Sequence, residues 1–107
     1  MDIPKLFDED LPKKFAADPD KFKAIGGKFQ INVTGPGGGS WNIDVSASGP
    51  NIEKGTGSSD VTITIAEPDA QKLLENPTAN AMNLFFSGKL KVGGNQMLAM
   101  KLSALLA

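Results

Sequence analysis

The sequence has no cysteine, no histidine and no arginine. The missing cysteine removes disulfides, thiolate nucleophiles and cysteine metal sites together. Without histidine there is no Ser-His-Asp or Cys-His arrangement, no ordinary zinc site and no side chain that by default titrates near neutral pH. All the basic residues are lysine, so bidentate clamping of phosphate or carboxylate, or of guanine, by arginine is excluded. No apolar run approaches the roughly 18 residues that a membrane span requires. The opening MDIPKLFDED is acidic and lacks the basic flank and apolar run of a secretory signal, which predicts an intracellular, cytoplasmic protein.

What remains is an ordinary globular composition: 107 residues, 40% hydrophobic, with a formal net charge of -1. That length suits one domain, residues 1–107, able to bury roughly two thirds of its unfolded surface. The lysines are scattered and the balance is slightly acidic, which gives nucleic-acid binding little support.

Apolar Leu6, Phe7, Leu11, Phe15, Phe22 and Ile25 alternate with charge in a helical rhythm, and Pro12 predicts a kink or restart near Leu11. Asp18-Pro19 is a helix start and Gly26-Gly27 a helix end. From Phe29 the period becomes two: Phe29, Ile31 and Val33, then Trp41, Ile43 and Val45 beyond a glycine-rich turn, then Val61, Ile63 and Ile65. A short strand fits around Ile52–Lys54. Glu67-Pro68 opens a helix that Asn76-Pro77 stops, and Thr78 is the expected cap of a second, Ala79–Phe86, ended by Gly88. Lys89–Val92 alternates as a last strand, and Asn95 caps a final helix over Gln96–Leu106. That helix is apolar round most of its circumference, so it must be covered on two sides, by protein on both or by protein and a ligand. Each strand has one polar face, which predicts a two-layer α+β domain: a mixed, largely antiparallel sheet with all helices on one side.

Few residues here invite chemistry. GPGGGS at Gly35–Ser40 lacks the Gly-Lys-Ser/Thr ending and following helix of a phosphate loop, and reads as a hairpin turn. Asp8-Glu9-Asp10 point in different directions on a helix, and Asp44 and Asp60 read as surface groups. No catalytic residue, metal or cofactor is expected. The apolar set Phe85, Phe86, Met97, Met100, Leu105 and Leu106 is either plain core or the wall of an adaptable greasy interior suited to methionine, and periodicity does not separate the two.

Phe85-Phe86-Ser87-Gly88-Lys89-Leu90-Lys91-Val92-Gly93-Gly94-Asn95, continuing to Leu102, resembles the signature of the sterol carrier protein 2 family. Ile25-Gly26-Gly27, Gly37–Val45 and Asp60–Ile65 follow in that family's order and spacing. The resemblance implies a five-stranded sheet, helices over one face and an apolar tunnel between the layers. It also implies non-catalytic binding and transfer of fatty acids, acyl-CoA esters, phospholipids or sterols, with transient membrane contact and a monomeric state. Carried over residue by residue, the lining is Met82, Phe85, Phe86, Met97 and Met100, with Phe15 and Ile25 on the helical side. Trp41, Ile43 and Ile65 form the floor, and Leu105 and Leu106 a tail plug. Some members hold a lipid carboxylate with arginine, which this chain lacks. Its ending also lacks the Ser-Lys-Leu type of peroxisomal signal. Two alternatives stay open: an accessory module presenting acyl substrates to an enzyme, and an interaction domain whose tunnel is filled by its own side chains.

Overall fold

The period-two segments form β1 (Lys28–Thr34), β2 (Gly39–Asp44), β3 (Asn51–Lys54), β4 (Val61–Ala66) and β5 (Leu90–Gly94). The computed structural model describes residues 3–46, 50–102 and 105, with the side chains of Pro77, Thr78 and Met82 outside that description. The strands make one mixed sheet in the order β3-β2-β1-β4-β5. Three pairings are antiparallel, and the central β1–β4 pairing is parallel. The register sets Ile31 beside Trp41 and Ile63, so one face becomes a continuous apolar surface. A one-residue slip would turn that surface to water.

Helices cover this face. A single helical run holds α1 (Ile3–Lys5), a π-helical segment (Leu6–Asp10) and α2 (Leu11–Ala17). The expected restart near Leu11 takes the form of a change from π to α: the Leu11 N–H reaches Leu6 O, and α2 begins at Leu11 with Pro12 in its first turn, where a proline is tolerated. Phe7, Leu11 and Phe15 stay on the buried side. α3 (Pro19–Lys23) starts at Asp18, whose Oδ1 accepts from the Lys21 N–H at 3.3 Å.

α4 (Glu67–Glu75) and α5 (Pro77–Phe86) meet at Asn76. Here the expected cap is corrected: Asn76, not Thr78, caps α5, its Oδ1 accepting from the Ala79 N–H at 3.3 Å, and the helix starts earlier, at Pro77. The last helix, expected over Gln96–Leu106, is interrupted at Met100 and Lys101 and helical again at Leu102 and Leu105, with Ser103, Ala104 and Leu106 outside the described residues. α6 spans Gln96–Ala99, a turn occupies Met100 and Lys101, and a helical bond from the Leu105 N–H to Lys101 O follows at 3.1 Å.

The polar sheet face is not simply wet. Because β4 lies on the far side of β1 and β2 from β3, the chain must cross that face between Gly55 and Asp60. Gln30, only 4% exposed, ties the crossing down: its Nε2 donates to Gly55 O and its Oε1 accepts from the Gly57 N–H. Asn42 Nδ2 donates to the same Oε1 and to Ser58 O. The Gly- and Ser-rich composition lets this segment lie flat on the sheet while its backbone is satisfied by two side-chain amides.

Candidate functional site

The site grows from the way α5, β5 and α6 are tied together. α5 ends in a left-handed glycine, Gly88 at φ +77. The Lys89 N–H bonds Leu84 O at 2.9 Å and the Gly88 N–H bonds Phe85 O at 3.1 Å, the paired closure of a Schellman cap. This turn leaves Phe85 and Phe86 on the last turn of α5, with their rings edge to face at 5.8 Å, and sends β5 back along β4.

At the other end of β5, Gly94 has φ +94, and a Cβ there would lie 2.6 Å from Asp60 O. Only glycine fits both demands. Asn95 then caps α6, its Oδ1 accepting from the Leu98 N–H at 3.1 Å. Leu98 is the buried anchor: it lies so close to Gly27 that a Cβ on Gly27 would stand 2.5 Å from a Leu98 methyl. With Leu98 inward, Met97 and Met100 are held on the outer side.

Between these elements lies an open apolar groove of about 300 Å³. Leu90, Val92 and Leu102 form its base, Ala81 and Ala99 leave room, and Phe85, Phe86, Met97 and Met100 make the rims. The rim side chains are 39%, 76%, 79% and 72% exposed. Among the described residues, Gln96 is the one polar residue in the lining and no ionisable group contributes. The volume falls at the lower end of the roughly 300–1,000 Å³ typical of small-molecule clefts.

Between sheet and helices the described residues border only a small void. This void, bordered by Phe7, Ile31, Val33, Ile63, Ile65, Ala70, Leu73, Leu74 and Leu102, measures about 10 Å³, about one water's worth of room. The sequence-predicted lining therefore divides. Phe85, Phe86, Met97 and Met100 come together around the groove. Phe15, Ile25, Trp41, Ile43, Ile65 and Leu105 are buried in the common core and do not border the groove. The Met82 side chain and Leu106 lie outside the described residues. The groove residues that pattern reading did not single out are Ala81, Leu90, Val92, Gln96, Ala99 and Leu102. The inward alternation of Leu90 and Val92 between two apolar helices was their available signal.

The remaining candidates have structural partners. The Gly37 N–H donates to Glu67 Oε2 at 2.7 Å, so the protein's own carboxylate occupies the glycine-rich turn. Asp8 accepts from the Trp41 indole N–H at 2.9 Å, and Asp60 from the Lys28 N–H at 3.0 Å. Among the described residues no cluster of three or more His, Cys, Asp or Glu could hold a metal ion, and no helix is long and apolar enough to cross a membrane.

Comparison with known proteins gives a consistent picture. The SCP-2 sterol transfer family matches residues 8–107. Sterol carrier protein 2 of Rattus norvegicus is 38% identical over 105 residues, which are 94% of this chain and 19% of that protein. Hydroxysteroid dehydrogenase-like protein 2 of Bos taurus is 35% identical over 95 residues, 87% of this chain and 22% of that protein. The chain thus spans about a fifth of the length of these curated relatives. Among solved structures, sterol carrier protein 2 of Yarrowia lipolytica in its apo form aligns with a TM-score of 0.71 at 28% identity, over 95% of this chain and 81% of that one. Sterol carrier protein domain 2 of Helicoverpa armigera aligns with a TM-score of 0.69 at 30% identity, over 95% and 85%. A family match over almost the whole length, on the same five-stranded mixed sheet with its helices, means that this chain belongs to the SCP-2 sterol transfer family.

Proposed function

We propose that this chain is a non-catalytic lipid carrier that takes up the hydrocarbon part of a fatty acid, acyl-CoA, phospholipid or sterol in the groove between α5, β5 and α6. The observation that carries this reading is an open apolar groove of about 300 Å³ whose lining, among the described residues, holds no ionisable group. Acid–base or nucleophilic catalysis needs such a group within reach of the reacting atoms. Selectivity then comes from shape, and the unbranched methionines let the rim adapt to different chains.

Each buried methylene contributes about 0.8 kcal/mol, so roughly ten of them give about 8 kcal/mol before the cost of immobilising the chain. Micromolar affinity corresponds to about 8 kcal/mol, so useful binding requires more than roughly ten buried carbons. Displacement of a fluorescent fatty-acid probe tests the reading: saturable micromolar binding should appear with palmitate and weaken by orders of magnitude with octanoate. No saturable uptake of any long-chain lipid would overturn it.

A second reading has its own support. The matched region is only 22% of hydroxysteroid dehydrogenase-like protein 2, so in that relative it accompanies a much longer chain. Here the domain would present acyl or sterol substrates to an enzyme rather than shuttle freely, and co-purification with a lipid-metabolising enzyme would favour it.

A further inference from the structure

Few side chains of this protein can be oxidised. Cysteine, histidine and tyrosine are absent, and Trp41, the sole tryptophan, is 0% exposed. What remains is the thioether sulfur of methionine. Of the four methionines, Met1 and the Met82 side chain lie outside the described residues, while Met97 and Met100 are 79% and 72% exposed and both line the groove. Spaced i and i+3, they stand on one side of the same turn, with Leu98 between them turned into the core. Among the described residues, then, the sulfur that an oxidant meets stands in the groove wall, where cargo would lie.

We propose that Met97 and Met100 are sites of reversible oxidation by hydrogen peroxide, and that their oxidation switches off lipid uptake. The inference rests on the lipid-carrier reading and adds how that uptake is regulated. A lone pair on the thioether sulfur attacks one peroxide oxygen and the O–O bond breaks. The sulfur keeps that oxygen as a sulfoxide, and the proton it carried joins the departing hydroxide to give water. Two electrons pass from sulfur to peroxide, and methionine sulfoxide reductases, one for each sulfoxide epimer, return the thioether. The product is polar and chiral where methionine was apolar and pliant. Gln96 is the one polar residue lining the groove among the described residues, so a hydrocarbon chain laid over the sulfoxide strips water from its oxygen and supplies no hydrogen bond in return. The fold has no such dependence: α6 is held by the Asn95 cap and by Leu98 against Gly27, and neither tie involves a methionine.

The test treats the full chain with hydrogen peroxide, assigns sulfoxide to individual residues by peptide mass spectrometry, and measures binding of a fluorescent fatty acid before and after. Met97 and Met100 should be converted, and affinity for the probe should fall on the order of tenfold. The melting temperature should shift by no more than about 3 °C. Methionine sulfoxide reductases should restore binding, and palmitate loaded beforehand should slow both conversions, because the thioethers then lie under the chain. The double variant Met97→Leu, Met100→Leu is its own reference: whatever its starting affinity, that value should change by less than about twofold on treatment. An equal loss in this variant, uptake that survives full conversion of both residues, or unfolding on oxidation overturns the switch alone. So does the absence of conversion, a conversion rate that palmitate leaves unchanged, or a loss that the reductases do not reverse. No saturable uptake by the untreated chain overturns the carrier reading, and the switch falls with it.

Discussion

Met100 and Phe15 are both apolar, and their positions in the fold give them opposite duties. Phe15 is 4% exposed and meets Phe22 edge to face at 4.6 Å, whereas Met100 is 72% exposed on the groove rim. Truncating a buried phenylalanine removes its transfer energy and leaves a cavity, so Phe15→Ala should cost about 3–5 kcal/mol of stability in denaturant unfolding. Met100→Ala should change stability by no more than about 0.5 kcal/mol, as exposed positions generally do. Its effect should appear in probe displacement, where losing a wall contact weakens lipid affinity on the order of tenfold. If Met100→Ala unfolds the chain instead, the residue is core and the groove assignment fails.

At the scale of elements, the short helix α6 decides whether the groove has a second wall. Four residues cannot hold a helix by propensity, and its position comes from the Asn95 cap, the left-handed Gly94 and the Leu98 contact with Gly27. Asn95→Ala removes the acceptor for the Leu98 N–H and should cost about 1 kcal/mol, read as faster hydrogen exchange at Leu98 and Ala99 and weaker lipid binding. The β1 amides should exchange unchanged in this variant, because that strand is paired on both sides by β2 and β4. The start of the chain shows the reverse economy. Pro12 removes one helical bond, but the π segment around Asp8 keeps Phe7 and Leu11 on the core side and aims the Asp8 carboxylate at the Trp41 indole.

For the whole molecule, the question is where a lipid would lie. Trp41, the sole tryptophan, is 0% exposed, stacked on Phe7 at 4.6 Å, and borders neither the groove nor the small interlayer void. A brominated fatty acid in the groove should therefore leave Trp41 fluorescence unquenched, whereas a chain threaded through the layers would quench it. Strong quenching would relocate the cargo to the interior. The strands, the one-sided helix layer, the Asp18 and Asn95 caps and the turn at Gly88 were all legible in the sequence, because alternation, capping side chains and glycine act over a few neighbouring residues. The cover of Gly55–Asp60 over the polar sheet face was not, since it depends on strand order, and neither was the π form that the expected irregularity before Pro12 takes. The resemblance likewise placed Trp41, Ile43, Phe86 and Met97 on equal terms as lipid contacts. By itself, then, the sequence determined the elements, the buried face of each strand, the family and the poverty of catalytic side chains. Only the tertiary structure decided which apolar residues are spent on a closed core and which stand around an open groove, because that sorting depends on which surfaces of distant segments meet.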